Sequence, residues 1–334
     1  MVIGYYVHHR GSGHLHRAIA IADALHEPVT ILSSLARPPG VVQDWLQLPL
    51  DTDGGRESRA AGDRDANGML HWVPRGSPAL RHRMAQLSAW IDRAAPSAMV
   101  VDVSVEVALL ARLHGVPVVT MAQPGVRDDA AHQLGYTVSD AIIAPWPPGV
   151  HALKCSPQVE SRLEAVGAIS RIPTAQHPIE REPHRITVFS GHGGRGDSAL
   201  REVVDEARFF SRGYQWTVLA GASLGEVTTA LATSSLVFTH CGQNAVAEVA
   251  ASRVPAIFVP EDRPHNEQEL LGRALAAALV PARVATPGSL RKLDWPDWLP
   301  AVADLDGETW APWCDGAAAR RAATIILRVA GRRS

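Results

Sequence analysis

The feature that most constrains this chain is a recurring unit: a short, unbroken apolar run, a turn rich in glycine or polar residues, then a helical stretch. Val2–Val7, Leu15–Leu25 and Val29–Leu32 read as strand, helix and strand, and Met99–Val101, Val105–Leu113 and Pro117–Met121 repeat that order. Runs that are apolar throughout, rather than alternating, suit a parallel sheet covered on both faces by helices. The unit starts afresh in the second half. Arg185–Phe189 and Tyr214–Leu219 read as strands around the helix Ser198–Ser211; Ser235–Thr239, Asn244–Ala251, Ala256–Val259 and Glu267–Leu279 continue the alternation. Between the halves, Gly167–His184 sets Pro173, Pro178 and Pro183 among charged residues, as a linker does. The expected class is therefore α/β, with two Rossmann-like parallel-sheet domains facing a cleft. Residues 1–170 form the first, 171–184 the linker and 185–315 the second; the striped helix Ala317–Val329, within 316–334, is available to pack back on the first domain. A chain of 334 residues is long enough for two cores.

Charge narrows the partners. The formal net charge is -2 and the basic residues are scattered, thirty arginines against Lys154 and Lys292. No basic stripe marks a nucleic-acid surface. Cys155, Cys241 and Cys314 are widely spaced and form neither a zinc-ligand pattern nor a disulfide framework. The first apolar run is too short for a signal sequence, and no stretch reaches the roughly 18 apolar residues of a membrane span. The expectation is a cytoplasmic chain without a transmembrane segment, for which peripheral membrane contact stays open.

Four loops follow predicted strands and carry chemistry. Arg10-Gly11-Ser12-Gly13-His14 puts small residues and an imidazole at a helix start. Gly11 and Gly13 let backbone approach a ligand, and the partial positive charge there favours a neutral His14 able to accept a proton; the plain alternative is a helix cap. The dinucleotide fingerprint is incomplete, because no third glycine arrives. Ser190-Gly191-His192-Gly193-Gly194-Arg195-Gly196 is not a Walker loop, and it reads as a strand-to-helix turn for phosphates or as a tight turn only. Thr239-His240-Cys241-Gly242-Gln243-Asn244-Ala245-Val246-Ala247-Glu248 is the most specific: a strand ends, and a helix opens with small residues whose N–H groups can hold a diphosphate without metal. Glu248, among alanines and valines, is a carboxylate in need of a polar partner, such as ribose hydroxyls, unless it is a solvated helix charge. In Pro260–Gln268, Glu267 and Gln268 suit sugar hydroxyls, although that segment by itself reads better as a surface helix cap.

Taken in order, the four loops resemble those of GT-B glycosyltransferases, nearest in style to the MurG-like and macrolide-type enzymes of family 28. The third also resembles the His-Cys-Gly-x-Asn-Ser core of the plant-type UDP-sugar signature. The resemblance implies that His240, Gly242 and Asn244 contact the donor diphosphate; Gln243, Ser190, Gly191, Gly193 and Gly194 are further donor-binding candidates. It implies that Glu248 binds ribose, that Glu267 and Gln268 bind the sugar, and that Gly11 and Gly13 line the cleft. It makes His14 the general base. Asp102 is the candidate that orients His14, with a helix N-cap for Val105–Leu113 as its plain reading. Ala245 stands where the family has a hydroxyl residue and Gln243 where plant-type members have tryptophan. The stretch between Leu219 and Ser235 looks short for a full strand–helix–strand.

The implied reaction is inverting and metal-independent transfer from a nucleoside-diphosphate sugar, UDP or dTDP, to a small-molecule or lipid hydroxyl. No cofactor is expected, the nucleotide sugar being a substrate, and no Asp-x-Asp stands ready for a metal. Two alternatives remain. Gly11, Gly13, His14 and Arg17 also resemble the Gly-x-Gly-His-x-x-Arg of the nucleotide-sugar hydrolase of pseudaminic acid synthesis, and a non-catalytic sugar-nucleotide binder would use the same cleft. For the acceptor, the segments of interest are Asp51–Ser77 (a binding loop or a disordered insertion), His82 and Gln123–His132. Trp72, Trp90 and Trp146 are potential stacking platforms or core, and Arg127 reads best as solvated charge.

Overall fold

The structure, a computed structural model, describes the chain apart from residues 10–12, 53–63, 176, 178, 191–197 and 332–334, with the side chains of 290–292 also left aside. The first half begins with β1 (Ile3–Val7), α1 (Gly13–Ala24), β2 (Val29–Ser33), β3 (Asp44–Gln47), α2 (Pro78–Ala94), β4 (Ala98–Asp102), α3 (Val105–Leu113) and β5 (Val118–Met121). It continues through β6 (Gly125–Val126), α4 (Ala130–Val138), β7 (Ala141–Ala144), β8 (Leu153–Lys154), α5 (Pro157–Glu160) and β9 (Leu163–Ala165). Its main sheet runs in the order β3-β2-β1-β4-β5-β7-β9, parallel at each pairing. β1, β2 and β4 are buried along their whole length, which is why their sequences are apolar without alternation.

The second half contains β10 (Glu182–Ser190), α6 (Ser198–Phe210), β11 (Gln215–Ala220), α7 (Leu224–Thr233), β12 (Ser234–His240), α8 (Gln243–Ala251) and β13 (Ala256–Val259). Then come α9 (Glu267–Ala277), β14 (Ala282–Val284), α10 (Trp295–Ala303) and α11 (Ala318–Ala330). The parallel order is β11-β10-β12-β13-β14. The stretch between Leu219 and Ser235 is not short of an element. α7 fits into it because Ser223 and Glu226 close a capping box, which starts the helix abruptly after a three-residue turn.

Each sheet reverses its strand order beside its first strand: the chain steps outward from β1 to β2 and then crosses to β4, and from β10 to β11 and then to β12. Ligands in such sheets sit outside the strand carboxyl ends at that switch. The turns after β1, β4 and β12 are therefore the ones that topology places at a cleft. The C-terminal helix α11 is strongly one-sided; its Ala322, Ile326 and Val329 share a buried cluster with Ile21 of α1 and with Ile3 and Val100. The last helix of the chain thus completes the core of the first half. Among the described residues, no helix is long and apolar enough to cross a membrane.

Candidate active site

Asp102 is the last residue of β4 and is fully buried. It does not cap α3: that work falls to Ser104, whose hydroxyl accepts from the Val107 N–H. Its carboxylate instead receives His14 Nδ1 at 2.9 Å, Arg17 Nε at 3.0 Å and the other end of the Arg17 guanidinium at 2.6 Å. Gln123 donates a longer bond of 3.5 Å. Burial pushes the Asp102 carboxyl up, but Arg17 and then His14 outweigh it and bring it down to about 2. An ionised carboxylate only accepts, so the proton of the His14 pair sits on Nδ1 and leaves Nε2 as a base. His14 is the second residue of α1 and keeps 21% of its side chain exposed, so the base reaches solvent while its partner does not.

The second half delivers its own turn to the same place. Gly242 is the N-cap of α8 without a side-chain cap, and its N–H donates to His240 Nδ1 at 2.9 Å. The N–H groups of the first helical turn have no acceptor within the helix and carry its partial positive charge. This helix start touches α1 directly. A Cβ on Gly13 would lie 1.7 Å from Asn244 Nδ2, so the two turns meet this closely only while position 13 carries no side chain or Asn244 swings aside. Arg17 crosses the same gap and donates to Gln243 Oε1 at 2.6 Å. A second contact lies further along: Gly125, with a φ of +113°, packs where a Cβ would be 2.6 Å from the His265 carbonyl oxygen. The imidazole and the helix start thus share one cleft.

Other expected residues find different surroundings. Glu248 is buried and is not a solvated charge; Arg171, from the linker, donates to it through Nε at 2.6 Å. Glu267, the first residue of α9, faces the Arg127 guanidinium at 3.6 Å. Gln268 is buried, and its side-chain oxygen accepts from the Glu261 N–H at 3.1 Å. Glu261 in turn accepts from Leu200 N at 2.7 Å, so the capping carboxylate of this loop serves α6 rather than α9. Ser190 ends β10, whereas Gly11, Gly191, Gly193 and Gly194 lie outside the described residues.

Near His14 opens a cavity of about 300 Å³, lined on the first half by Tyr6, His8, Trp72, Arg83, Glu106, Arg127 and His132 and on the second by His265. His8 stands edge-on to His14 with ring centroids 6.3 Å apart. Of the three tryptophans considered as platforms, Trp72 lines this cavity, while Trp90 and Trp146 are buried in cores. Arg127 is buried rather than solvated: its guanidinium bonds the Pro124 carbonyl and His132.

His132 and Asp129 form a second histidine–carboxylate pair, 2.5 Å apart, with His71 Nε2 3.6 Å from the same carboxylate. His71, Asp129 and His132 could in number hold a metal ion. The hydrogen bonding fits that poorly. Asp129 accepts from His132 Nδ1, and His132 Nε2, 3.1 Å from Arg127, accepts from the guanidinium. A metal on Nδ1 would force a proton onto Nε2, donor against donor. Burial, the largest influence, lowers His132, with Arg127 and His71 adding to it, to about 4 despite Asp129.

Sequence reasoning named His14 and Asp102, which the structure brings into contact, but gave Arg17 no role in their network, and it did not name Arg171, Asp129 or the burial of Arg127. For Arg17 a signal existed, since it sits three residues after His14 on the same helix face.

Comparison with known proteins agrees with this geometry. Residues 222–293 match the glycosyltransferase family 28 C-terminal domain. No curated protein matches the chain by sequence. Among solved structures, MurG of Acinetobacter baumannii is similar at 16% identity and a TM-score of 0.60, covering 98% of this chain and 99% of that one. The spinosyn rhamnosyltransferase SpnG, solved with thymidine diphosphate, is similar at 16% identity and 0.63, covering 99% and 98%. A UDP-glucosyltransferase from Polygonum tinctorium that glucosylates indoxyl is similar at 13% identity and 0.66, covering 99% of each chain. The chain therefore has the GT-B glycosyltransferase fold, and the turn and helix Gly242 to Glu248 lie inside the segment that matches the family 28 C-terminal domain.

Proposed function

We propose that this chain is an inverting glycosyltransferase that moves a sugar from a nucleoside-diphosphate sugar, UDP- or dTDP-linked, to a hydroxyl of a small-molecule or lipid acceptor. One observation carries the reading: Gly13 packs against Asn244, so an Asp102-held imidazole stands directly before a helix start suited to a diphosphate. Nε2 of His14 takes the acceptor proton, the acceptor oxygen bonds the anomeric carbon, and the bond to the diphosphate breaks with its electron pair. The leaving anion is met by the first-turn N–H groups of α8, each such donor being worth about 3–4 kcal/mol in comparable sites. The neutralisation needs no bound metal, because the helix start supplies the positive potential.

Glu248 deepens the reading of the donor. In the structure its carboxylate is paired with Arg171, so ribose binding has to share or displace that guanidinium. A thermal-shift and calorimetric panel of UDP, dTDP, GDP and ADP tests the proposal. Binding of one or two of them is expected, and Glu248→Ala is expected to weaken it about 10-fold or more. Wild-type affinity in that variant removes Glu248 from the site.

Hydrolysis keeps one specific support: Arg17 of the Gly-x-Gly-His-x-x-Arg pattern is integral to the His14–Asp102 network. Sugar release from donor alone, as fast as with any acceptor, would move the assignment from transfer to hydrolysis.

A further inference from the structure

Arg17 bridges the two halves of the cleft. Two edges of its guanidinium are committed to Asp102, and the third nitrogen crosses to Gln243 Oε1 at 2.6 Å. A guanidinium offers only donors, so Gln243 has to turn its oxygen towards Arg17. The amide nitrogen is then aimed the opposite way. Gln243 Nε2 is buried and has no hydrogen-bond partner among the described residues. An unpaired buried amide N–H costs about 1–3 kcal/mol, which a ligand at that spot would recover. Gln243 is also the first residue of α8, so this N–H joins the backbone donors of the helix start. Ala245, two residues on, contributes no hydroxyl there.

We propose that Arg17 is a positioning residue: it fixes the Gln243 carboxamide so that its N–H points at the donor diphosphate, and it ties that contact to the His14–Asp102 pair. The inference rests on the donor reading above. Arg17 then serves both halves at once. If the domains separate, Gln243 loses its orientation and Asp102 keeps its partner, so the donor contact forms only in the closed arrangement.

The test is calorimetric binding of UDP and dTDP to the full chain and to Q243A, Q243E, R17K and R17K/Q243A, with melting temperatures measured alongside. Q243A is expected to weaken binding about 10- to 100-fold, the range for one hydrogen bond to a charged group. Q243E keeps an oxygen for Arg17 and the bridge between the halves, but replaces the amide donor with negative charge, so it should bind worse than Q243A at an unchanged or higher melting temperature. R17K, which keeps the charge beside Asp102, should weaken binding several-fold in the wild-type background and not at all in the Q243A background. Equal losses from R17K in both backgrounds, or wild-type affinity in Q243E, overturn the proposal while leaving the donor reading intact. Should R17K fail to fold, Q243E decides alone. A wild-type chain that binds no nucleoside diphosphate overturns both.

Discussion

Two histidine–aspartate pairs face the same cleft, and their differences show how surroundings divide one motif between two jobs. Asp102 is fully buried and held by Arg17, while His14 keeps 21% of its side chain exposed. Asp129 is an N-cap with 41% of its side chain exposed, and His132 spends its second nitrogen on Arg127. Only the first pair has a lone pair available to a substrate proton. The second is a rigid, neutral wall of the cavity, since both imidazole nitrogens are already engaged. Histidine and aspartate in contact are therefore not sufficient evidence of a base; what the far nitrogen does decides it.

The sharpest way to break this comparison is to remove each imidazole. His14→Ala should lower turnover by about 10²–10⁴ with donor binding largely kept, whereas His132→Ala should change turnover less than about 10-fold. Steady-state kinetics with donor binding measured separately reads the difference. Equal losses from the two variants would mean that the assignment of roles is wrong.

Removing the carboxylates should separate the pairs by stability. Asp102→Asn leaves the buried Arg17 charge without its counter-ion and is expected to cost about 3–5 kcal/mol in chemical denaturation. Asp129→Ala loses mainly a helix cap, at about 0.5–2 kcal/mol.

The second pair should also respond to acid in a window of its own, that of His132, above the one that Asp102 and Asp129 share, both being depressed to about 2. His132 is depressed from 6.5 to about 4 in the folded chain, so between those values the unfolded state binds the extra proton and stability falls as pH drops. His132→Gln should remove that part of the slope. Asp102 is depressed from 3.8 to about 2; its contribution is present above pH 3.8 and is lost as pH falls through about 2. Denaturation midpoints measured from pH 7 to pH 2 should show the histidine window first.

The smallest effect expected comes from Gly13→Ala, because the group its Cβ meets is the end of the Asn244 side chain, which can swing away. A several-fold loss of nucleotide affinity with little change in melting temperature would show that the first pair depends on contact with α8. An unchanged affinity would mean that this contact is incidental to donor binding.

The sequence by itself determined the α/β class, the two parallel sheets and the turns that matter, because unbroken apolar runs and glycine-rich turns are local signals. It also put His14, Asp102 and Gly242 at strand ends and helix starts, on the side of the sheets where topology opens a cleft. What the tertiary structure alone decided is the pairing of charges. Arg17 with Gln243 spans 226 positions, Arg17 with Asp102 spans 85, and Arg171 with Glu248 spans 77. An arginine looks the same in sequence whether it is solvated or buried, and apart from Arg17, one helical turn after His14, the thirty carry no local mark of which will meet a carboxylate. That choice depends on which helix and strand ends the two folded sheets bring within a few ångströms, a property of packing that no periodicity encodes.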